Sequence, residues 1–205
     1  TDGSYTLLMQ VAERDRFPEL KILRHTSNCG KGAAIRSGFD AVLNSASDDD
    51  AVIIQDADLE YDPGDYVDLL RPIIDGSADA VFGTRWGPHH PLRSATARIH
   101  RFGNGVLTAL SNALTGLQVQ DMECCYKAMT VPALRLIRSA LTEDRFGVEP
   151  QIAAALARCD QRVTEVPVRY DPRGFSEGKK IGWRDGVNAI QVMFRERGRT
   201  EPEAE

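Results

Sequence analysis

Ala51-Val52-Ile53-Ile54 stands between Asp48-Asp49-Asp50 on one side and Gln55-Asp56-Ala57-Asp58 on the other. Four consecutive apolar residues bounded by polar ones predict a short strand buried on both faces, as strands of parallel sheets are. Ligands of open α/β sheets gather just past the carboxyl ends of such strands. The pair Asp56 and Asp58 falls there.

The rest of the chain repeats the alternation of short apolar runs with amphipathic stretches that marks an α/β fold. Lys21–Leu23 reads as a short strand and Ala33–Leu43 as a helix carrying Ile35, Phe39 and Val42 on one face. Asp62-Pro63-Gly64 predicts a helix start, with Asp62 as N-cap and Pro63 in the first helical position. Tyr66, Leu69, Leu70, Ile73 and Ile74 form the buried stripe of that helix. Ala80-Val81-Phe82 reads as a buried strand, and a loop over Gly87–Pro91 leads to a helix over Ile99–Leu114 that Gly116 terminates. A short helix follows over Ala133–Ser139, then one opened by Pro150 and running to Arg158. A strand over Arg162–Val168 and a helix over Arg184–Arg197 complete the reading. No repeat or linker divides the chain, so residues 1–205 are expected to form a single domain, with 198–205 as a frayed tail.

The 205 residues carry a net charge of −5, with 42% hydrophobic and 27% charged residues. That balance is ordinary for a globular protein and argues against a dedicated nucleic-acid binder. No apolar run reaches the roughly 18–20 residues needed to span a bilayer. Cys29, Cys124, Cys125 and Cys159 form no CxxC pair and read as reduced thiols of a cytoplasmic protein. Three of the four histidines (His89, His90, His100) share one segment without a helical i, i+4 pair, which does not suit a zinc site.

Charge is strongly segregated along the chain. From Asp48 to Asp68 there are nine acids and no base. The 48–50 run reads as solvated surface. Asp56 and Asp58 follow a strand directly, and two such carboxylates repel unless a cation lies between them; Glu60 adds a third oxygen of the kind hard divalent ions prefer. A cation there would neutralise a diphosphate. Upstream, Asn28-Cys29-Gly30-Lys31-Gly32 precedes a helix start, a place that favours phosphate. It is not a Walker A loop, because His25 stands where the first glycine belongs and no Ser or Thr follows Lys31. Opposite the acids, Arg85–Arg101 holds four arginines, three histidines and no acid, and Arg173–Arg184 holds Arg173, Lys179, Lys180 and Arg184 against Glu177 alone. Trp86, Phe102, Phe175, Ile181 and Trp183 intersperse these basic stretches, a mixture suited to an anionic acceptor with an apolar tail.

In order, Asn28–Ala34, Ile54–Pro63, Phe82-Gly83-Thr84-Arg85, Leu114-Thr115-Gly116-Leu117, Asp121–Lys127, Phe146–Pro150 and Glu177–Gly186 resemble the family 2 glycosyltransferases of the GT-A fold. Their dolichyl- and polyprenyl-phosphate sugar synthases are the most similar branch. The resemblance runs from Asp2 to about Ile190. It implies a Rossmann-like α/β domain with a mixed, mainly parallel sheet flanked by helices. It also implies an inverting, single-step transfer of a hexose from a nucleotide-sugar such as GDP-mannose or UDP-glucose to a polyprenyl or dolichyl phosphate, with Mg2+ or Mn2+. Asp56 then contacts the nucleotide, Asp58 and Glu60 are metal ligands with Asp56 beside them, and Asp2 contacts the base or ribose. Lys31, Lys179 and Lys180 serve the diphosphate, the two later lysines on a closing loop. Arg85, with Arg98 or Arg101, grips the acceptor phosphate; Arg85 and the second acidic position, Asp121, are the catalytic pair, Asp121 orienting the sugar or acting as base, though a lipid phosphate needs little deprotonation. Such an enzyme is expected to be cytoplasmic, peripheral at the inner face of the membrane.

The family's usual Asp-Asp-Gly-Ser stands here as Thr1-Asp2-Gly3-Ser4, and a preceding βαβ segment of roughly 35–40 residues is not in the sequence. Either the sequence is a fragment, or a partner chain or dimer supplies that part, or activity is lost; the chain alone is expected to bind sugar nucleotide weakly. Transfer to a soluble or glycan acceptor, an inactive nucleotide-sugar-binding remnant, and a nucleotidyltransferase are the competing readings. The last would carry a glycine-rich signature near the N-terminus, and none is present.

Overall fold

The computed structural model describes residues 3–15, 19–87, 95–172 and 183–199. Its organising element is a four-stranded sheet of order β1-β3-β2-β4. β2 (Ala80–Thr84) is buried at every residue. β3 (Lys127–Thr130) lies between β1 (Ala51–Ile54) and β2, antiparallel to both, with Ile54 opposite Lys127 and Phe82 opposite Lys127 from the other side. β4 (Val163–Pro167) joins β2 in parallel, Ala80 opposite Val163. Three of the four strands therefore run the same way, but two of the three pairings are antiparallel; the sheet is mixed, as the resemblance implied, without being mainly parallel in its pairing. The reversed strand was not expected, since two of its four residues are polar.

Side chains alternate across the sheet as the pleat requires. Ala80, Phe82 and Met129 enter one core with Ile152 and Leu156 of α6 (Val148–Arg158) and Leu134 and Ile137 of α5 (Val131–Arg138). Phe39 of α2 (Lys31–Leu43) and Met193 of α7 (Trp183–Arg197) complete that layer, and Leu107 and Leu114 of α4 (Ala95–Thr115) pack against it. Val81 and Ala128 enter the opposite core with Leu69 of α3 (Tyr66–Ile74), Tyr61 and Tyr126. Complete burial of side chains such as Phe82 and Leu69 contributes about 1.5–3 kcal/mol each. Ahead of α3, Pro63–Asp65 makes a 3-10 turn capped by Asp62, whose side chain accepts from the Gly64 N–H. Gly116, at φ +78, ends α4 as expected.

Several sequence expectations need correction. β1 is not buried on both faces: among the described strands it pairs only with β3, and Ala51 is exposed, Val52 and Ile53 half-buried and Ile54 alone buried. Lys21–Leu23 is not a strand; no described strand pairs with it, and Leu23 is exposed. Ile74, assigned to the buried stripe, lies at the end of α3 and is 78% exposed. Ser4–Asp15 forms a helix, α1, that periodicity did not reveal; Leu7, Leu8 and Met9 are exposed on it, so it has no apolar face turned to the core. The expected tail lies mostly outside the described residues.

Candidate active site

Because β1, β2 and β4 run together, their carboxyl ends reach one edge of the sheet, and antiparallel β3 begins at that same edge. This geometry collects the residues that follow β1 (Gln55 to Tyr61), follow β2 (Arg85 and Trp86), follow β4 (Val168 to Asp171) and precede β3 (Asp121 to Tyr126). The first turns of α2 and α6 add Lys31 and Glu149. Such an edge is where ligands bind in α/β sheets.

A charged cluster occupies the centre. Lys31 Nζ lies 2.8 Å from Glu149 Oε1 and 3.2 Å from Asp56 Oδ2, and it contacts Cys125 Sγ. The Cys125 thiol donates to Asp56 Oδ2. Behind Glu149, the wholly buried Lys127 donates to Glu149 Oε2 and to the carbonyls of Met122 (3.0 Å) and Cys124. Burial opposes charge on Lys31, yet Glu149, Cys125 and Asp56 hold its ammonium well above the usual range. Burial likewise pushes the Glu149 carboxyl up, but Lys127 and Lys31 outweigh it and keep Glu149 below the usual carboxylate range. Burial and the Glu149 charge push the Cys125 thiol up against the pull of Lys31, and burial pushes Cys124 up to about 12. All four cysteines are free thiols.

The glycines around Lys31 have a specific structural duty. Gly30 has φ +94, and a Cβ there would lie 2.3 Å from the Asp144 carbonyl oxygen. The close approach that glycine permits is thus made by the 143–145 backbone. The Ala33 N–H in the first turn of α2 is also taken, donating to Asp144 O at 3.1 Å. What the turn offers the site is the lysine side chain.

Asp58 and Glu60 sit on a tight loop. The Glu60 N–H donates to Asp58 Oδ1 at 3.2 Å, and Leu59 between them has φ +63. Glu60 Oε2 accepts from the Tyr170 hydroxyl at 3.1 Å, and its carbonyl accepts from the Asp171 N–H. Among the described residues, no three His, Cys, Asp or Glu side chains converge as a metal cage. Asp56, Asp58 and Glu60 share a loop without closing on one point. That arrangement fits a Mg2+-type ion, which takes one or two carboxylates and completes its shell with substrate phosphates and water.

Across the edge, Arg85 and Asp121 form a buried bidentate pair: Nε to Oδ2 and Nη2 to Oδ1, each 2.7 Å, with the Arg85 N–H also on Oδ2 at 3.0 Å. Asp121 is itself placed by Glu165 of β4, whose carboxylate accepts from the Gln120 and Asp121 N–H groups. Two of the Arg85 side-chain donors are thus committed to Asp121. The Arg85 guanidinium lies 5.2 Å from the Trp86 ring, and Arg101 of α4 lies 5.3 Å from the same ring. Arg98 is exposed on that helix. A cavity of about 880 Å3 adjoins the site at Glu60 and Tyr170, bounded by Gly64, Pro72, Pro167 and Arg169; none of Lys31, Asp56 or Arg85 lines it.

The structure thus brings Lys31, Asp56, Asp58, Glu60, Arg85, Arg101 and Asp121 to one edge, with Arg98 farther along α4. Asp2, Lys179 and Lys180 lie outside the described residues. Sequence reasoning missed Lys127, Cys125 and Glu149 as members of the cluster. The one available signal was that Lys127 and Glu149 stand in motifs of the resemblance.

Residues 1–138 match the family described as glycosyl transferase family 2. Glycosyltransferase AglJ of Haloferax volcanii is 29% identical over 170 residues, which cover 82% of this chain and 53% of AglJ. The chain thus spans about half of that relative's length. Polyprenol monophosphomannose synthase of Mycolicibacterium smegmatis is 26% identical over 199 residues, 95% of this chain and 70% of that protein. In fold, the chain superposes on glucosyl-3-phosphoglycerate synthase from Mycobacterium tuberculosis, crystallised with Mn2+, UDP and phosphoglyceric acid, with a TM-score of 0.63 at 16% identity. That match covers 100% of this chain and 66% of the other, and the shared architecture is the GT-A fold.

Proposed function

We propose, for a chain that belongs to glycosyl transferase family 2, that it moves a hexose from a nucleoside-diphosphate sugar to a polyprenyl or dolichyl phosphate. The observation that carries this reading is the pairing of two differently charged halves at one sheet edge. On one side Lys31 meets Asp56 beside the Asp58–Glu60 loop; on the other, Arg85 and Arg101 flank Trp86. The similarity to a polyprenol monophosphomannose synthase over 95% of the chain supports the acceptor class.

In this reading Asp58, with Asp56 and Glu60 beside it, holds Mg2+ or Mn2+ together with the donor diphosphate. The ion supplies charge neutralisation for the departing nucleoside diphosphate. Lys31, kept cationic by the carboxylates of Glu149 and Asp56, places a fixed positive charge on the same side. Lys179 and Lys180 close over the diphosphate, and Asp2 contacts the base or ribose. The donors of Arg85 not taken by Asp121 meet the acceptor phosphate with Arg101 and Arg98, and Asp121 fixes the plane of Arg85. A phosphate acceptor is already ionised, so no base is required, and the rate comes from positioning and preorganised charge. No described helix is long and apolar enough to cross a membrane. Ile99 and Phe102, exposed beside Arg98 and Arg101 on α4, suit contact with a membrane surface on the cytoplasmic side.

Incubation with a panel of UDP- and GDP-sugars, Mg2+ or Mn2+, and a polyprenyl phosphate tests the proposal. The expected product is a lipid-linked hexose, reduced about 100-fold or more in Asp58→Ala, in keeping with loss of one preorganised transition-state contact. Transfer only to water or to soluble acceptors, or no transfer at all, sinks it.

A further inference from the structure

Three ties join the Glu60 loop to the chain that follows β4. The Glu60 carbonyl accepts from the Asp171 N–H at 2.9 Å, Tyr61 forms an antiparallel bridge with Tyr170, and Glu60 Oε2 accepts from the Tyr170 hydroxyl at 3.1 Å. The Tyr170 ring is itself confined. The Tyr61 ring packs against it at 5.2 Å between centroids, tilted by 47°, and the Arg85 guanidinium lies 5.3 Å from its centre. Tyr61 is in turn buried and stacked on Tyr126 at 4.6 Å. The hydroxyl therefore reaches Glu60 from a ring with little freedom to swing away.

We propose that Tyr170 is a positioning residue whose hydroxyl sets the Glu60 carboxylate in the orientation that receives the divalent ion. The inference rests on the reading above of Asp58 and Glu60 as the metal-bearing loop, and it adds the residue behind that loop that aims one of its carboxylates. A glutamate side chain loses much rotamer freedom when it takes up an ion, and a bond already made removes part of that cost beforehand. A carboxylate has about four acceptor sites on its two oxygens, so one phenol donor leaves room for a cation. Groups that hydrogen-bond a metal-binding carboxylate from behind commonly tune the affinity for the metal. A purely structural role explains less. The two backbone ties hold the loop without the hydroxyl, and Glu60 is only half-buried, where one more hydrogen bond adds little to stability. What the phenol fixes is the carboxylate. The same ring packs on Arg85, so Tyr170 stands where the metal loop meets the arginine side of the site.

Calorimetric titration with UDP and, in parallel, GDP, each with and without Mn2+, tests the assignment on the unaltered chain, Tyr170→Phe, Glu60→Ala and the double variant. Tyr170→Phe keeps the ring and its packing on Tyr61 and Arg85. It is expected to weaken the nucleotide that binds by about tenfold when Mn2+ is present and to leave binding without Mn2+ unchanged. Glu60→Ala is expected to weaken the Mn2+-dependent binding at least as much. Adding Tyr170→Phe to Glu60→Ala should then change nothing further, because Tyr170 acts through Glu60. Three results overturn the assignment: no Mn2+-specific weakening in Tyr170→Phe, equal weakening with and without Mn2+, or a Tyr170→Phe effect that persists in full beside Glu60→Ala. The acceptor takes no part in these titrations. If the unaltered chain makes no lipid-linked product, the acceptor reading fails while the titrations still decide on Tyr170. If Mn2+ tightens neither nucleotide on the unaltered chain, the metal reading and the role of Tyr170 fall together.

Discussion

Leu59 is 89% exposed and holds φ +63 between the two acids Asp58 and Glu60. A leucine contributes nothing by exposure, and in the left-handed region its Cβ crowds the following carbonyl at a cost of about 1–2 kcal/mol. Residues persist in such conformations where their surroundings over-determine them, commonly at functional sites. Here the bond from the Glu60 N–H to Asp58 and the ties of Glu60 to Tyr170 and Asp171 impose the turn. Leu59→Gly removes the Cβ clash but adds freedom to the unfolded chain worth about 0.4–1 kcal/mol. The expected result in urea denaturation is a net gain in stability of about 0.5–1 kcal/mol, with unchanged slope. A loss would mean that the turn is not strained.

One carboxylate joins three elements: Glu149 of α6 accepts from Lys31 at the start of α2 and from Lys127 at the start of β3. Removing it in Glu149→Ala leaves Lys127 wholly buried with two carbonyls and without its paired carboxylate. Breaking a buried pair in this way costs about 3–5 kcal/mol, measurable as a lowered denaturation midpoint. Glu149→Gln retains an acceptor and should cost less. The elements around this joint were unequally legible in sequence. β2, α3, α5, α6 and α7 announced themselves through apolar period, Pro or capping residues, because their signals are local. β3 did not: Ala128 and Met129 are its only apolar residues, and Lys127 reads as surface until a partner for its charge is known. The burial of β1 was misjudged for a related reason, since an apolar run does not reveal whether a second neighbour pairs with it. At the site, Asp56 and Asp58 were legible as acids just past a strand and Arg85 as the first base of a basic stretch, whereas Asp121 was legible only through the resemblance. The Lys127–Glu149–Lys31 chain was not, because its members are 22 and 118 residues apart in sequence and meet only through the fold.

For the molecule as a whole, the buried carboxyls make stability depend on pH in two opposed ways. Glu149 is held below its ordinary value by Lys127 and Lys31, so its contribution is present above the unfolded-state value and is lost as pH falls through the folded one, on the acid side. Glu123 is pushed up to about 7 from 4.5 by burial and by Glu149. Between those values the folded state binds more protons than the unfolded state, so stability falls as pH rises. The shift corresponds to roughly 3 kcal/mol lost between about pH 4.5 and 7.5. Glu165, also raised by burial, slopes in the same direction, so total stability does not isolate Glu123. The difference between the unaltered chain and Glu123→Gln does, because an amide does not titrate. Denaturant midpoints measured from pH 5 to 8 should therefore fall more steeply for the unaltered chain, and Glu123→Gln should become the more stable of the two near pH 8. Parallel curves would place the Glu123 carboxyl in water rather than among Glu149, Lys127, Arg85 and Asp121.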